Sequence, residues 1–219
     1  MSNHARTELK NGSTLTLAAS DDLELRRVAD GGPAEKLLIP WPRRGFAGGS
    51  FFLSESEEMA VLSMYSGQSE EGYELLGLSP LRRISTSPYV FGYLSSFAFS
   101  HDESVLAVAL LQDCTEWWTR WEDEMEDFGG TSDDSFVSKD RVDFPVGSLR
   151  LHDISSDTVQ SCHLHVRVSQ KWRPTPCDVE LALIPSFDGD SVLLEAPWGR
   201  TRVPRPLPAE WVSDFPCEG

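Results

Sequence analysis

Phe51-Phe-Leu-Ser-Glu-Ser-Glu-Glu-Met-Ala-Val61 aligns without gaps on Phe97-Ala-Phe-Ser-His-Asp-Glu-Ser-Val-Leu-Ala107, 46 residues further along the chain. Each copy reads as an apolar strand, a serine, an acidic turn and a second apolar strand, which is the pattern of a β-hairpin. A weaker third copy lies at Leu183-Ile-Pro-Ser-Phe-Asp-Gly-Asp-Ser-Val-Leu193, where Asp188-Gly189 is a strong turn signal because glycine accepts positive φ without steric cost. A second unit recurs between the hairpins, at Leu23-Glu-Leu-Arg-Arg-Val28, Tyr73-Glu-Leu-Leu-Gly-Leu78 and Leu149-Arg-Leu-His-Asp-Ile154. Each is followed by a loop and a further strand, so these segments read as the third strands of successive four-stranded units.

A fixed period of this length is the mark of a repeat architecture. The expected fold is all-β: antiparallel four-stranded blades in one domain over residues 1–219, forming a small or incomplete propeller-like ring. Two full blades are expected at about 50–93 and 95–168, a C-terminal hairpin at about 179–203 and an N-terminal pair at about 14–40. A blade shared between the termini would close such a ring, and edges left open would be covered by self-association.

An apolar strand, then Ser-x-Asp/Ser-Glu/Gly, then a strand ending in Leu-Ala-Val is similar to the repeats of WD40-like β-propellers. The likeness runs over roughly residues 20–205. The segment Tyr65-Ser-Gly-Gln-Ser-Glu-Glu-Gly-Tyr-Glu74 further resembles one found in small uncharacterised bacterial proteins of propeller type. The chain contains neither Gly-His nor Trp-Asp, so the resemblance implies the blade architecture alone, and it carries no activity with it.

Composition narrows the function classes. With 35 acidic against 19 basic residues, the net charge is −16 and the isoelectric point about 4.6, which opposes direct binding of a phosphate backbone. A basic protein partner is what such a field attracts. The longest near-apolar run, Val105–Leu111, is about a third of the roughly 20 residues that cross a bilayer, and no apolar leader precedes the first strand, so a cytoplasmic protein without membrane contact is expected. Cys114, Cys162, Cys177 and Cys217 are too widely spaced for a CxxC pair and are expected to be reduced thiols.

The repeat period is broken once, by a surplus of residues at 113–145. That stretch carries eleven acidic residues against three basic ones, half of the net charge of the whole chain. It opens with Glu116-Trp-Trp-Thr-Arg-Trp-Glu122, in which Trp117 and Trp121 fall on one face of a short helix and Trp118 on another. Aromatic anchors rimmed by charge are the composition of binding hot spots. Trp117, Trp118, Trp121, Glu122, Asp123, Glu124, Glu126 and Asp127 are therefore the candidate partner-binding residues, with Glu70 and Glu71 of the 65–74 loop extending the same acidic face. A solvated acidic loop with its tryptophans folded back as a lid is the bland alternative. The run Glu122–Asp127 lacks the central glycine and terminal glutamate of an EF-hand.

His152, His163 and His165 sit on adjacent predicted strands and are weak candidates for a zinc site. No nucleophile elbow, phosphate-binding loop, dinucleotide fingerprint or zinc-protease motif occurs, so neither a catalytic residue nor a cofactor is assigned. The expectation is a non-catalytic binding protein for a basic partner, one specific version being an inhibitor or immunity-type protein. The alternatives are a hydrolase or carbohydrate-binding module using carboxylates in a cleft, and a self-assembling propeller fragment. Pro204-Arg-Pro-Leu-Pro-Ala-Glu-Trp211 reads as a polyproline arm packed by Trp211.

Overall fold

Alternation of apolar and polar residues sets the faces of every strand. In the computed structural model, which describes residues 2–19, 23–29, 32–39, 46–66, 70–87, 90–91, 93–112, 141–169, 183–196 and 199–214, these strands assemble into four sheets, without a helix among the described residues. The first sheet is the meander β1 (Ser2–Glu8), β2 (Thr14–Ala19), β3 (Leu23–Val28) and β4 (Ala34–Ile39). The second is the meander β5 (Phe46–Leu53), β6 (Met59–Ser66), β7 (Glu70–Leu78) and β8 (Leu81–Thr86), with the short β9 (Val90–Phe91) paired to β7. The third runs β10 (Tyr93–Phe99), β11 (Val105–Gln112), β12 (Arg141–Asp153) and β13 (Thr158–Ser169). The fourth holds β14 (Ile184–Asp188), β15 (Ser191–Ala196) and β16 (Gly199–Pro204). A last strand, β17 (Glu210–Asp214), adds to the third sheet parallel to β13, the single parallel pairing described. All-β architecture and antiparallel meanders are thus as expected; none of the four sheets closes on itself.

The chain divides into two compact units, residues 1–91 and 92–219. In the first, Leu15, Leu17, Leu25 and Ile39 of the first sheet pack on Ala60, Leu62, Met64 and Leu76 of the second. In the second, Ala107, Ala109, Leu149 and Leu164 of the third sheet pack on Val192, Leu194 and Val203 of the fourth. Each fully buried leucine of this kind contributes about 1.5–3 kcal/mol of transfer free energy. β11 is buried along Val105–Leu111 without alternation, because both of its faces are covered; an unbroken apolar run in sequence carries that meaning.

The turns show how far the repeat extends. Ser54 and Ser100, the serines aligned in sequence, make the same bonds: Glu57 N–H to Ser54 O at 3.1 Å and Glu103 N–H to Ser100 O at 2.8 Å. Each serine hydroxyl also accepts the N–H that opens the next strand, Met59 at 3.2 Å and Val105 at 2.9 Å. Both turns place a glutamate at positive φ, Glu57 at 58° and Glu103 at 55°. The N-terminal hairpin repeats the device with Gly12 N–H to Leu9 O at 2.9 Å and φ of 79°. The first sheet is therefore a full four-stranded sheet beginning at Ser2, where the sequence suggested only a pair of strands from residue 14. The C-terminal hairpin gains a third strand, β16, and the presumed polyproline arm ends in β17. No sheet is shared between the two ends of the chain among the described residues.

Candidate functional site

Trp117, Trp118, Trp121, Glu122, Asp123, Glu124, Glu126 and Asp127 lie outside the described residues. Their flanks are described: the segment leaves β11 at Gln112 and returns at Arg141, and residues 141–145 already belong to β12. It thus joins the second and third strands of its sheet. The same connection is made by residues 20–22, 67–69 and 197–198 in the other three sheets. Glu70 and Glu71 open β7 beside the equivalent connection, opposite Phe91 and Val90, and the Ser63 hydroxyl donates to Glu71 Oε1 at 2.9 Å.

The histidines do not converge. His152 stands opposite Val159 on β13, four residues from His163, or about 13 Å at strand rise. It is 1% exposed, with Nε2 2.9 Å from Asp157 Oδ1. His163 and His165 share a face of β13 and stand opposite Glu210 and Val212 of β17. Among the described residues no three His, Cys, Asp or Glu side chains are grouped to hold a metal ion. Burial pushes the Cys162 thiol up to about 11, helped by Glu210, so this sulfur is a protonated, unreactive core group.

A cleft of about 450 Å³ opens within the second unit, where the ends of the third sheet meet the fourth. Its apolar lining comes from Val105, Leu151 and Pro206, its polar lining from Asp153, Thr158, Gln160, Asp190 and Arg205. Asp153 is oriented by its own turn, its Oδ1 accepting from the Ser155 hydroxyl at 2.7 Å and from Ser155 N–H and Ser156 N–H at 3.0 Å. These bonds, the Ser155 hydroxyl first, hold the carboxyl below the usual range, so it is ionised at neutral pH and offers charge without a proton to donate. Gln160 Oε1 accepts from Leu207 N–H at 3.1 Å. Arg205 lies with its guanidinium carbon 5.5 Å from the centroid of the Phe187 ring, a cation–π distance. The arrangement suits the binding of a cation. It was not legible in the sequence because its walls come from four separated segments that share no motif.

The chain matches no protein-family model, and no curated protein is significantly similar to it in sequence. No helix among the described residues is long and apolar enough to cross a membrane.

Proposed function

We propose that the protein is a non-catalytic binding scaffold of WD40-like propeller type, each sheet a blade, which presents residues 113–140 to a basic protein partner. The observation that carries this reading is the asymmetry of equivalent connections. Three sheets join their second and third strands through 20–22, 67–69 and 197–198, whereas the third sheet spends 113–140 on the same step. Regular sheets with one long connection are the usual arrangement of a binding loop on a rigid frame. The inserted residues bring three tryptophans and ten acidic residues against two basic ones. Tryptophan supplies contact area and the surplus charge favours a positive surface, as an inhibitor or immunity-type protein requires.

The test is capture from native lysate with the full chain and with a variant whose residues 113–140 are replaced by a short Gly-Ser linker. Arg141–Pro145 stay in place because they belong to β12. The expected result is a stoichiometric basic partner held by the full chain and lost from the variant while its circular dichroism is unchanged. Equal capture by both would remove the segment from the function.

A further inference from the structure

Arg27 in the first unit holds the register position that Leu151, a lining residue of the cleft, holds in the second. Arg27 stands opposite Leu15 on the core face of the first sheet. Its guanidinium donates to the Leu78 carbonyl and lies 3.7 Å from the Glu35 carboxylate, with the side chain 15% exposed. Glu35 in turn accepts Leu81 N–H at 3.1 Å.

The second unit repeats this frame. Leu9 N–H bonds to Ser13 O and Ser100 N–H to Val105 O, so Ser13 and Val105 correspond. Two residues on, Leu15 faces Arg27 and Ala107 faces Leu151. Arg27 faces Glu35, and Leu151 faces Gln160. Leu78 N–H bonds to Glu58 O at 2.8 Å, and Arg205 N–H bonds to Asp190 O at 3.0 Å, which makes Arg205 the counterpart of Leu78. Even the tie to the neighbouring sheet is kept, since Gln160 accepts Leu207 N–H as Glu35 accepts Leu81 N–H. What differs is the head group: Leu151 has none, and it lines the cleft together with Gln160 and Arg205, the counterparts of Glu35 and Leu78.

We infer that this cleft binds a guanidinium group carried by a separate molecule, seated as Arg27 is seated in the first unit. The Arg205 carbonyl takes the position of the acceptor Leu78 O, and the carboxylates Asp153 and Asp190 supply the charge that Glu35 supplies to Arg27. Arg205 directs its own guanidinium onto the Phe187 ring. A volume of 450 Å³ falls in the range of small-ligand sites. An arginine side chain of a partner and a free guanidino compound present the same head. The inference does not rest on residues 113–140.

The test is a ¹H–¹⁵N NMR titration of the full chain with butylguanidinium and, separately, butylammonium. Saturable shifts with butylguanidinium at the amides of Asp153, Gln160, Asp190 and Leu207, several-fold tighter than with butylammonium, are expected. Leu151→Arg, which places an internal guanidinium in the cleft, removes the saturation. Should that variant fail to fold, Asp190→Asn at the exposed rim weakens binding by about threefold or more. In the converse experiment Arg27→Ala lowers Tm, and butylguanidinium restores part of the loss. An arginine-rich peptide that binds at least about tenfold more tightly than the free probe places the guanidinium on a protein; equal affinity places it on a small molecule. Absence of saturable shifts in the wild type, or shifts unchanged in both Leu151→Arg and Asp190→Asn, overturns the assignment.

Discussion

The two units share one frame and close it differently. Between the first and second sheets the gap is filled by polar side chains: Arg27 with Glu35, and Arg83, which stands 3.0 Å from the Glu74 carboxylate and donates to the Leu38 carbonyl at 3.2 Å. Between the third and fourth sheets the counterparts of Arg27, Glu35 and Glu74 are uncharged. Leu151 replaces Arg27, and the counterpart of Glu74 is Thr201, since each faces the third residue after the opening of the second strand, Leu62 or Leu194. Thr201 accepts from the indole Nε1–H of Trp211 at 2.9 Å. The difference follows from strand number. The second sheet has β8 to supply Arg83 and Thr86, whereas the chain after β16 leaves the fourth sheet, crosses to the edge of the third as β17 and brings Leu207 and Trp211 to the core on its way. The backbone ties are kept, the side chains vary, and one variant leaves a cleft.

The largest expected effect tests how tightly β12 is held against β11, at the end of the third sheet away from that cleft. In β12 a bulge at Val146 separates the pairs of Pro145 and Gly147, and Gly147 has φ of 157°. A Cβ there would stand 2.0 Å from the Leu110 carbonyl oxygen, so the strands must part. Gly147→Ala is expected to cost more than about 3 kcal/mol in a urea titration. Gly12 has open space around it, and Gly12→Ala should cost only the left-handed penalty, about 1–2 kcal/mol. Equal losses would mean that the bulge is not a fixed feature.

Next in size is Arg27→Leu, which gives the first unit the residue of the second. It leaves the Leu78 carbonyl and the Glu35 carboxylate without their cation, and a loss of about 1–3 kcal/mol is expected. An unchanged midpoint would break the comparison, because Arg27 would then be a surface residue lying in the gap and not a plug.

Much of this frame was legible in the sequence where a local rule acts alone. The serine turns at Ser54 and Ser100 and the third strands at Leu23, Tyr73 and Leu149 follow from alternation and turn chemistry over a few residues. The first hairpin was missed although Asn11-Gly12 is itself a turn signal, because β1 (SNHARTE) is too polar to alternate visibly. β17 was missed because its pairing with β13 is parallel and remote, and no local pattern encodes a partner nearly fifty residues away. The cleft escaped for the same reason: the leucine at 151 in place of an arginine means nothing until the register makes it the counterpart of Arg27. The acidic segment stands out in the sequence itself, because charge density needs no partner to be seen.

The smallest effect expected is a dependence on pH that Glu74 gives the first unit and that its counterpart Thr201 cannot give the second. Glu74 is fully buried on the core face of β7, its Oε2 accepting from the Thr86 hydroxyl at 2.7 Å, and its Oε1 has no hydrogen-bond partner among the described residues. Burial raises its pKa, and the bond from Thr86 and the charge of Arg83 offset this only in part. The folded chain therefore holds this proton more tightly than the unfolded one. Its contribution to stability is fully present below the unfolded value of 4.5 and is lost as pH rises through the folded value. Glu74→Gln keeps the shape and removes the titration. The variant should gain on the wild type as pH rises from about 4 to about 8, read as a widening gap between urea midpoints. Thr201→Val, at the counterpart position, should show a gap that does not change with pH, since no carboxyl stands there. A constant gap for both variants would mean that water reaches Glu74, which the fold buries completely.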